Sequence, residues 1–171
     1  MKLVLFQRDI GLVTRVIPLL TTLLAVVASI IPLQLPGFAV VTPACALMAV
    51  YHWSIYRPDL LPYAAVFGAG LLLDLLNGAP LGVSSLVLLL ARAAVLSQRR
   101  LFAGRNFGVV WAGFVVLTAA ATALEWVIAS VFYRFVLDLR PFLFQGLLTI
   151  STYPVASYLF VRLQRNLMMR A

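Results

Sequence analysis

Apolar positions along the chain form six long runs, separated by short segments that contain charged residues, proline or glycine. A helix needs roughly 20 apolar residues to cross a bilayer, so each run predicts one transmembrane helix. The predicted spans are residues 16–33, 38–56, 60–76, 81–97, 107–128 and 141–161. We therefore expect an all-α integral membrane protein, built as a single six-helix domain over residues 1–171.

Composition agrees with this pattern. Hydrophobic residues make up 64% of the chain and charged residues 11%, with a mean hydropathy of +1.06. A soluble domain is typically about 25% charged, so these few charges could not cover a surface exposed to water. The formal net charge of +8 does not indicate nucleic-acid binding, because no basic segment alternates with aromatic residues on a polar face. The positive charges instead cluster at the ends of the apolar runs.

The distribution of basic residues predicts the orientation. With the N-terminus in the cytoplasm, two basic residues, Arg134 and Arg140, lie outside, and Arg92 lies within a span. Ten lie inside: Lys2, Arg8, Arg15, Arg57, Arg99, Arg100, Arg105, Arg162, Arg165 and Arg170. This bias follows the positive-inside rule and predicts both termini in the cytoplasm. Another span follows the first run, so we expect that run to stay in the protein rather than be cleaved as a signal peptide.

Three ionisable residues inside the runs are candidates for function, because charges are costly in a bilayer. Asp74 precedes the turn 77–82. The favoured interpretation is structural, with its carboxylate accepting hydrogen bonds from that turn or from the start of the fourth helix; the alternative is an acid that lines a pocket or binds a partner. Glu125 should lie at a similar depth, and the sequence leaves open whether the two carboxylates share a cavity.

Arg92 lies about two turns from the basic end of the fourth run. Its long side chain could carry the guanidinium to the cytoplasmic interface, and we prefer this interpretation to an ion pair with Asp74, since the two depths differ by about 10 Å. His52, beside Trp53, favours an aromatic cluster at the membrane interface. A lone histidine and the single Cys45 are a poor zinc site, since zinc takes three or four ligands.

No catalytic, cofactor or metal motif is found in the sequence. It has no nucleophile elbow, no phosphate-binding loop and no paired aspartates that could hold magnesium for transferase chemistry. We therefore expect a protein that is not an enzyme and has no cofactor.

One stretch carries a family resemblance. Residues 70–82 read G-L-L-L-D-L-L-N-G-A-P-L-G, which contains the pattern G-x-L-x-D-x-x-x-G-x-P-L-G. This pattern, the length of the chain and its six apolar runs together resemble the MreD family of rod-shape-determining membrane proteins. The resemblance extends from about residue 43 to residue 165. The further matching features are Pro43, the aromatic pair position His52-Trp53, Pro58, Gly68, Tyr153-Pro154 and the ending Arg162-Leu163-Gln164-Arg165. One departure is His52, where a tyrosine is expected.

The resemblance implies a non-enzymatic subunit of the machinery that elongates the bacterial cell wall, in the inner membrane. Such proteins bind MreC, and through it are linked to MreB filaments, to the wall-elongation glycosyltransferase and to a penicillin-binding transpeptidase. The implied fold is similar to the substrate-binding subunit of energy-coupling-factor transporters. The candidate structural or partner-binding residues are Trp53, Pro58, Asp74, Asn77, Gly78, Pro80, Gly82, Arg92 and Glu125.

Two alternatives to a scaffold remain. One is a transporter subunit that binds a small, vitamin-like molecule, with Asp74 and Glu125 in a pocket in the outer leaflet. The weaker one is an enzyme that acts on a lipid intermediate.

Overall fold

The computed structural model describes residues 16–30, 42–102 and 106–168, and all regular structure in these residues is helical. The predicted all-α class is confirmed, and each of the six apolar runs contains one longer helix. A one-turn helix, α5, lies in the basic loop, where the sequence did not predict one. The elements are α1 (Val16–Ala28), α2 (Cys45–Tyr56), a 3-10 turn (Pro58–Leu60), α3 (Tyr63–Asn77), α4 (Val83–Ser97), α5 (Arg99–Phe102), α6 (Phe107–Tyr133) and α7 (Arg140–Met168).

The helix ends differ from the predicted spans. The second span was predicted to begin at residue 38, but α2 begins at Cys45, and residues 31–41 lie outside the described parts. Conversely, α6 continues to Tyr133 and α7 runs from Arg140 to Met168. Hydropathy marks where apolar residues stop, whereas a helix continues until its backbone leaves the helical conformation. For α6 that happens at Arg134, whose φ of 57° is left-handed.

Helix α2 is the centre of the bundle. Ten of its twelve residues are buried, and it packs against α4 and α7. Aromatic side chains join it to α6 and α7. Tyr51 lies 5.1 Å from Phe114 and 5.7 Å from Tyr153, measured between ring centroids, and its hydroxyl donates to the carbonyl of Val110 at 2.8 Å. A helix buried on all sides has no polar face, which is why its sequence shows no amphipathic pattern.

The distribution of polarity is the reverse of that in a water-soluble domain. Buried positions include Thr22, Ser54, Asp74 and Arg92, while large apolar side chains cover the outside. Such extensive exposed apolar surface is rare in soluble monomers. The most exposed of these side chains include Leu24, Leu75, Leu81, Val116, Leu147 and Val155. The outer surface therefore suits lipid, and the polar contacts lie between helices.

Among the described helices, α6 is the one whose length and composition alone would let it cross a bilayer. Helices α1, α3 and α4 are apolar but shorter. At about 1.5 Å per residue, the 15 residues of α3 cover less than the roughly 30 Å of a hydrocarbon core. Six complete crossings remain a prediction from the sequence.

Helices α3 and α4 form the most extensive helix pair. Their close approach depends on Gly70, because a methyl group at this position would overlap the backbone of Ser85. The hydroxyl of Ser85 also donates to the carbonyl of Phe67 at 3.1 Å. Small residues permit such backbone contact between membrane helices. This packing fixes the turn between α3 and α4, where the family pattern lies.

Candidate functional site

The turn between α3 and α4 is held by one buried carboxylate. Asp74, in the last turn of α3, is 0% exposed. Its Oδ2 accepts the backbone N–H of Gly82 at 2.7 Å, and its Oδ1 accepts that of Ser84 at 3.0 Å. These are N–H groups at the start of α4, which a helix leaves without partners in its own backbone. Asp74 therefore caps α4 from the preceding helix, as an N-cap side chain would.

The rest of the family pattern supplies the backbone geometry for this cap. Gly78 ends α3 with a φ of 64°, and Gly82 begins α4 with a φ of 99°. Both values lie in the left-handed region, which residues with a Cβ rarely adopt. Gly82 has no side chain with which to cap its own helix, so the carboxylate of Asp74 takes that role. Within the same turn, the carbonyl of Pro80 accepts the N–H of Val83, the first residue of α4, at 3.3 Å.

The hydrogen bonds predicted for Asp74 are thus confirmed. Arg92 forms its hydrogen bonds with other residues, described below. The ion pair between Asp74 and Arg92, which the sequence disfavoured, therefore does not form. Whether Asp74 also has a role beyond this cap stays a prediction.

A cavity of about 410 Å³ lies beside this turn. Its described walls come from the α3–α4 and α6–α7 connections and from the segments around the starts of α2 and α4. The residues that line it are Ser29, Thr42, Pro43, Ala44, Ala46, Leu47, Leu73, Asn77, Gly78, Ala79, Pro80, Val83, Ser84, Val87, Leu88, Glu125, Ala129, Tyr133, Leu137, Phe142 and Gln145. Glu125 and the signature turn therefore share one cavity, whereas the carboxylate of Asp74 is turned away to α4.

The start of α2 borders the same cavity and is also capped by other helices. The N–H of Ala44 donates to Thr149 Oγ1 of α7 at 2.9 Å, and the N–H of Ala46 donates to the hydroxyl of Ser29 at 3.1 Å. Ser29 directly follows α1. Two helix starts thus face the cavity, and side chains from elsewhere in the bundle bind N–H groups at both.

The α6–α7 connection forms part of the cavity wall through Leu137. It folds back along α6, so that Trp126 Nε1 donates to the carbonyl of Leu137 at 2.9 Å. The N–H of Leu137 in turn donates to the hydroxyl of Ser130 at 3.4 Å. These bonds hold the connection against the last turns of α6 and place Leu137 at the cavity, near Tyr133.

Arg92 lies at the other end of the bundle and is buried, with 4% of its surface exposed. Its Nη1 donates to Ser54 Oγ at 3.3 Å, and its Nη2 donates to the carbonyl of Pro58 at 3.0 Å. The ring of Tyr63 lies 4.8 Å from the guanidinium carbon. The position of the guanidinium at the cytoplasmic interface stays a prediction. The side chain does extend toward the connection that follows α2, but protein atoms rather than water or lipid surround it.

Nearby, Trp53 is 2% exposed and donates its indole N–H to Thr21 Oγ1 at 2.9 Å. His52 is 0% exposed, and its ring lies 4.6 Å from that of Tyr56 and 5.1 Å from that of Phe160. The predicted aromatic cluster exists and is enclosed by the helices around α2, and its placement at the membrane interface stays a prediction. Pro58 contributes its carbonyl to Arg92, as described above.

We expect Arg92→Lys to lower the free energy of unfolding by about 1–2 kcal/mol, because a single ammonium cannot reach Ser54 and Pro58 together as the guanidinium fork does. Arg100 is exposed on α5, and Arg100→Lys is the matched control, with an expected change below about 0.5 kcal/mol. Unfolding in detergent, followed by circular dichroism during titration with sodium dodecyl sulfate, measures both. Equal stability of the two variants would contradict this role.

The sequence did not predict the hydroxyl residues that form hydrogen bonds between segments of the bundle, nor the amide residue in the cavity wall. Ser29 and Thr149 cap α2, Ser54 binds Arg92, and Gln145 lines the cavity. The available signal is a hydroxyl or amide residue within an apolar run, since polar side chains in membrane helices bond across helix contacts. That signal does not tell which helix supplies the partner.

The chemistry available at the cavity is binding by hydrogen bonds and charge. Within the described residues, no group of three or more histidine, cysteine or acidic side chains could hold a metal ion. The cavity offers the carboxylate of Glu125, the amides of Asn77 and Gln145, and the hydroxyls of Thr42 and Ser84. This set can accept and donate hydrogen bonds to a polar group.

Comparison with known proteins gives one finding. The family model for the rod shape-determining protein MreD matches residues 10–170, nearly the whole chain. No curated protein and no solved structure matches, so the predicted likeness to the substrate-binding subunit of energy-coupling-factor transporters stays a prediction. The chain therefore belongs to the MreD family of rod shape-determining membrane proteins.

Proposed function

We propose that this protein is a non-enzymatic subunit of the complex that elongates the bacterial cell wall, and that it acts by binding MreC. Through MreC it is linked to MreB filaments, to the wall-elongation glycosyltransferase and to a penicillin-binding transpeptidase, and it helps to regulate peptidoglycan synthesis. The match of residues 10–170 to the MreD family carries this proposal. Membership of a structural, shape-determining family favours a scaffold over an enzyme.

We further propose that the whole chain forms one domain that crosses the inner membrane six times, with both termini in the cytoplasm. The ten-to-two distribution of basic residues supports this orientation. It puts the turn at residues 77–82 and its cavity on the outer side, and the buried Arg92 near the cytoplasmic side. The signature turn would then be within reach of partners that build the wall.

The direct test is co-purification. A tagged protein is solubilised in mild detergent from cells that express it at native level, and we expect MreC to be captured with it. An unrelated six-helix membrane protein with the same tag is the control. Depletion of the protein should turn rod-shaped cells round, and re-expression should restore the rods. Absence of MreC and of every wall-synthesis protein from the captured material would contradict the proposal.

A second function is favoured by one observation, the cavity of about 410 Å³ with the carboxylate of Glu125 in its wall. It is the binding of a small, vitamin-like molecule as a transporter subunit. A ligand that binds only the folded protein raises the melting temperature as its concentration rises. Such a rise with a vitamin, together with no capture of MreC, would favour this function over the scaffold.

A further inference from the structure

Glu125 is a carboxylate in the cavity wall with no described partner. Among the residues that the structure describes, none forms a hydrogen bond or an ion pair with its side chain. Residues 31–41, which connect two segments that border the cavity, contain no ionisable side chain. Glu125 is half-buried, and a charge partly removed from water is costly unless it is paired or hydrogen-bonded. Binding to MreC does not by itself explain a carboxylate in this position.

The sign of charge at the cavity favours a cation. Among the residues that the structure describes, no lysine or arginine lines it. Arg134 and Arg140 stand at the two ends of the α6–α7 connection. Both are exposed, and neither is part of the lining. Within residues 16–30, 42–102 and 106–168, the carboxylate of Glu125 is therefore the one charged group of the lining.

The N-termini of α2 and α4, which face the cavity, do not change its preference for a cation to one for an anion. A helix start attracts anions through its free N–H groups. Here Asp74 already accepts from the N–H groups of Gly82 and Ser84, while Thr149 and Ser29 accept from those of α2. These internal caps occupy four of the N–H donors that an anion would use.

We propose that the cavity binds a ligand that carries a primary ammonium group, with the carboxylate of Glu125 as its counter-ion. The amide oxygens of Gln145 and Asn77 can accept the remaining N–H bonds, since an ammonium has three donors. A volume of about 410 Å³ suits a small molecule or a lipid head group, as ligand pockets span roughly 300–1,000 Å³. Asn77, Gly78 and Tyr133 are exposed, so the cavity can be reached at their end of the bundle.

The ammonium group could belong to phosphatidylethanolamine or to a free amine, and the test separates the two. The full-length protein is purified in detergent, and its melting temperature is measured with added phosphatidylethanolamine, phosphatidylcholine, phosphatidylglycerol or ethanolamine. Phosphatidylcholine is the matched lipid, because its methylated nitrogen carries the same charge but no N–H. We expect a concentration-dependent rise with phosphatidylethanolamine or ethanolamine that exceeds the rise with phosphatidylcholine.

The variant Glu125→Gln should weaken this binding by roughly tenfold or more, since it removes a hydrogen bond to a charged group. Asp138→Asn is the matched control, because Asp138 is an exposed acid on the α6–α7 connection, and it should bind as the native protein does. If Glu125→Gln does not fold, Gln145→Leu replaces it, with a smaller loss expected.

Stabilisation by phosphatidylethanolamine alone supports a lipid head group, and equal stabilisation by ethanolamine supports a free amine. Three results would overturn the proposal: no preference for N–H-bearing ligands, a preference for phosphatidylglycerol, or unchanged binding by the folded variant. Capture of MreC from the same preparations reports on the scaffold function separately, so the failure of one idea leaves the other testable.

Discussion

Replacing Asp74 with asparagine is expected to lower the free energy of unfolding by about 2–3 kcal/mol. The carboxylate accepts two backbone N–H groups at the start of α4. An asparagine can accept one of them, but its NH₂ group then points at the other N–H, which is left without a partner. Hydrogen bonds to a charged group contribute about 1.5–3 kcal/mol each. The measurement is the detergent unfolding titration with circular dichroism used for Arg92.

The matched control for this variant is Asp138→Asn, which makes the same chemical change. Asp138 also accepts a backbone N–H, that of Arg140 at 3.0 Å, but it does so on the exposed surface. There water can replace a lost partner, so a change below about 0.5 kcal/mol is expected. If the two variants were equally stable, Asp74 would not be the cap of α4.

Replacing Gly70 with alanine is expected to cost about 3 kcal/mol, at the upper end for adding a methyl group to a packed interior. The added carbon would overlap backbone atoms of Ser85, and backbone cannot swing aside as a flexible side chain can. Helices α3 and α4 would have to separate along their whole contact. The melting temperature of the variant in detergent measures this loss.

Gly68→Ala is the internal control, because Gly68 lies two residues away on the same helix and a methyl group there meets open space. Alanine favours a helix over glycine by roughly 0.5–1 kcal/mol, so this variant should be as stable as the native protein or slightly more stable. A Gly70→Ala protein as stable as Gly68→Ala would show that the helix contact is not as close as described.

Much of the fold follows from hydropathy because local composition determines it. The class, the six longer helices and the approximate place of each turn depend on residues close together in sequence. The cap by Asp74 was also predictable, since the carboxylate and the N–H of Ser84 lie only ten residues apart, across one tight turn.

The other polar contacts could not be predicted, because their partners are distant in sequence. Ala44 and Thr149 are 105 residues apart, and Arg92 and Ser54 are 38 residues apart. Hydropathy gives depth in the bilayer but not the rotation of a helix about its axis. For this reason the sequence did not predict the protein partners that bury Arg92. Nor did it determine whether Glu125 and the turn at residues 77–82 line one cavity.

The cap of α2 by Thr149 constrains how the protein is made. The chain emerges from the ribosome from its N-terminus, so the first four helices can enter the membrane and begin to pack before α7 exists. Until α7 is synthesised, the N–H of Ala44 lacks its acceptor, 105 residues further along the chain. An unsatisfied backbone group in hydrocarbon is costly. Helix α7 therefore completes the cap of α2, and the nascent chain cannot reach this packing until α7 has been synthesised.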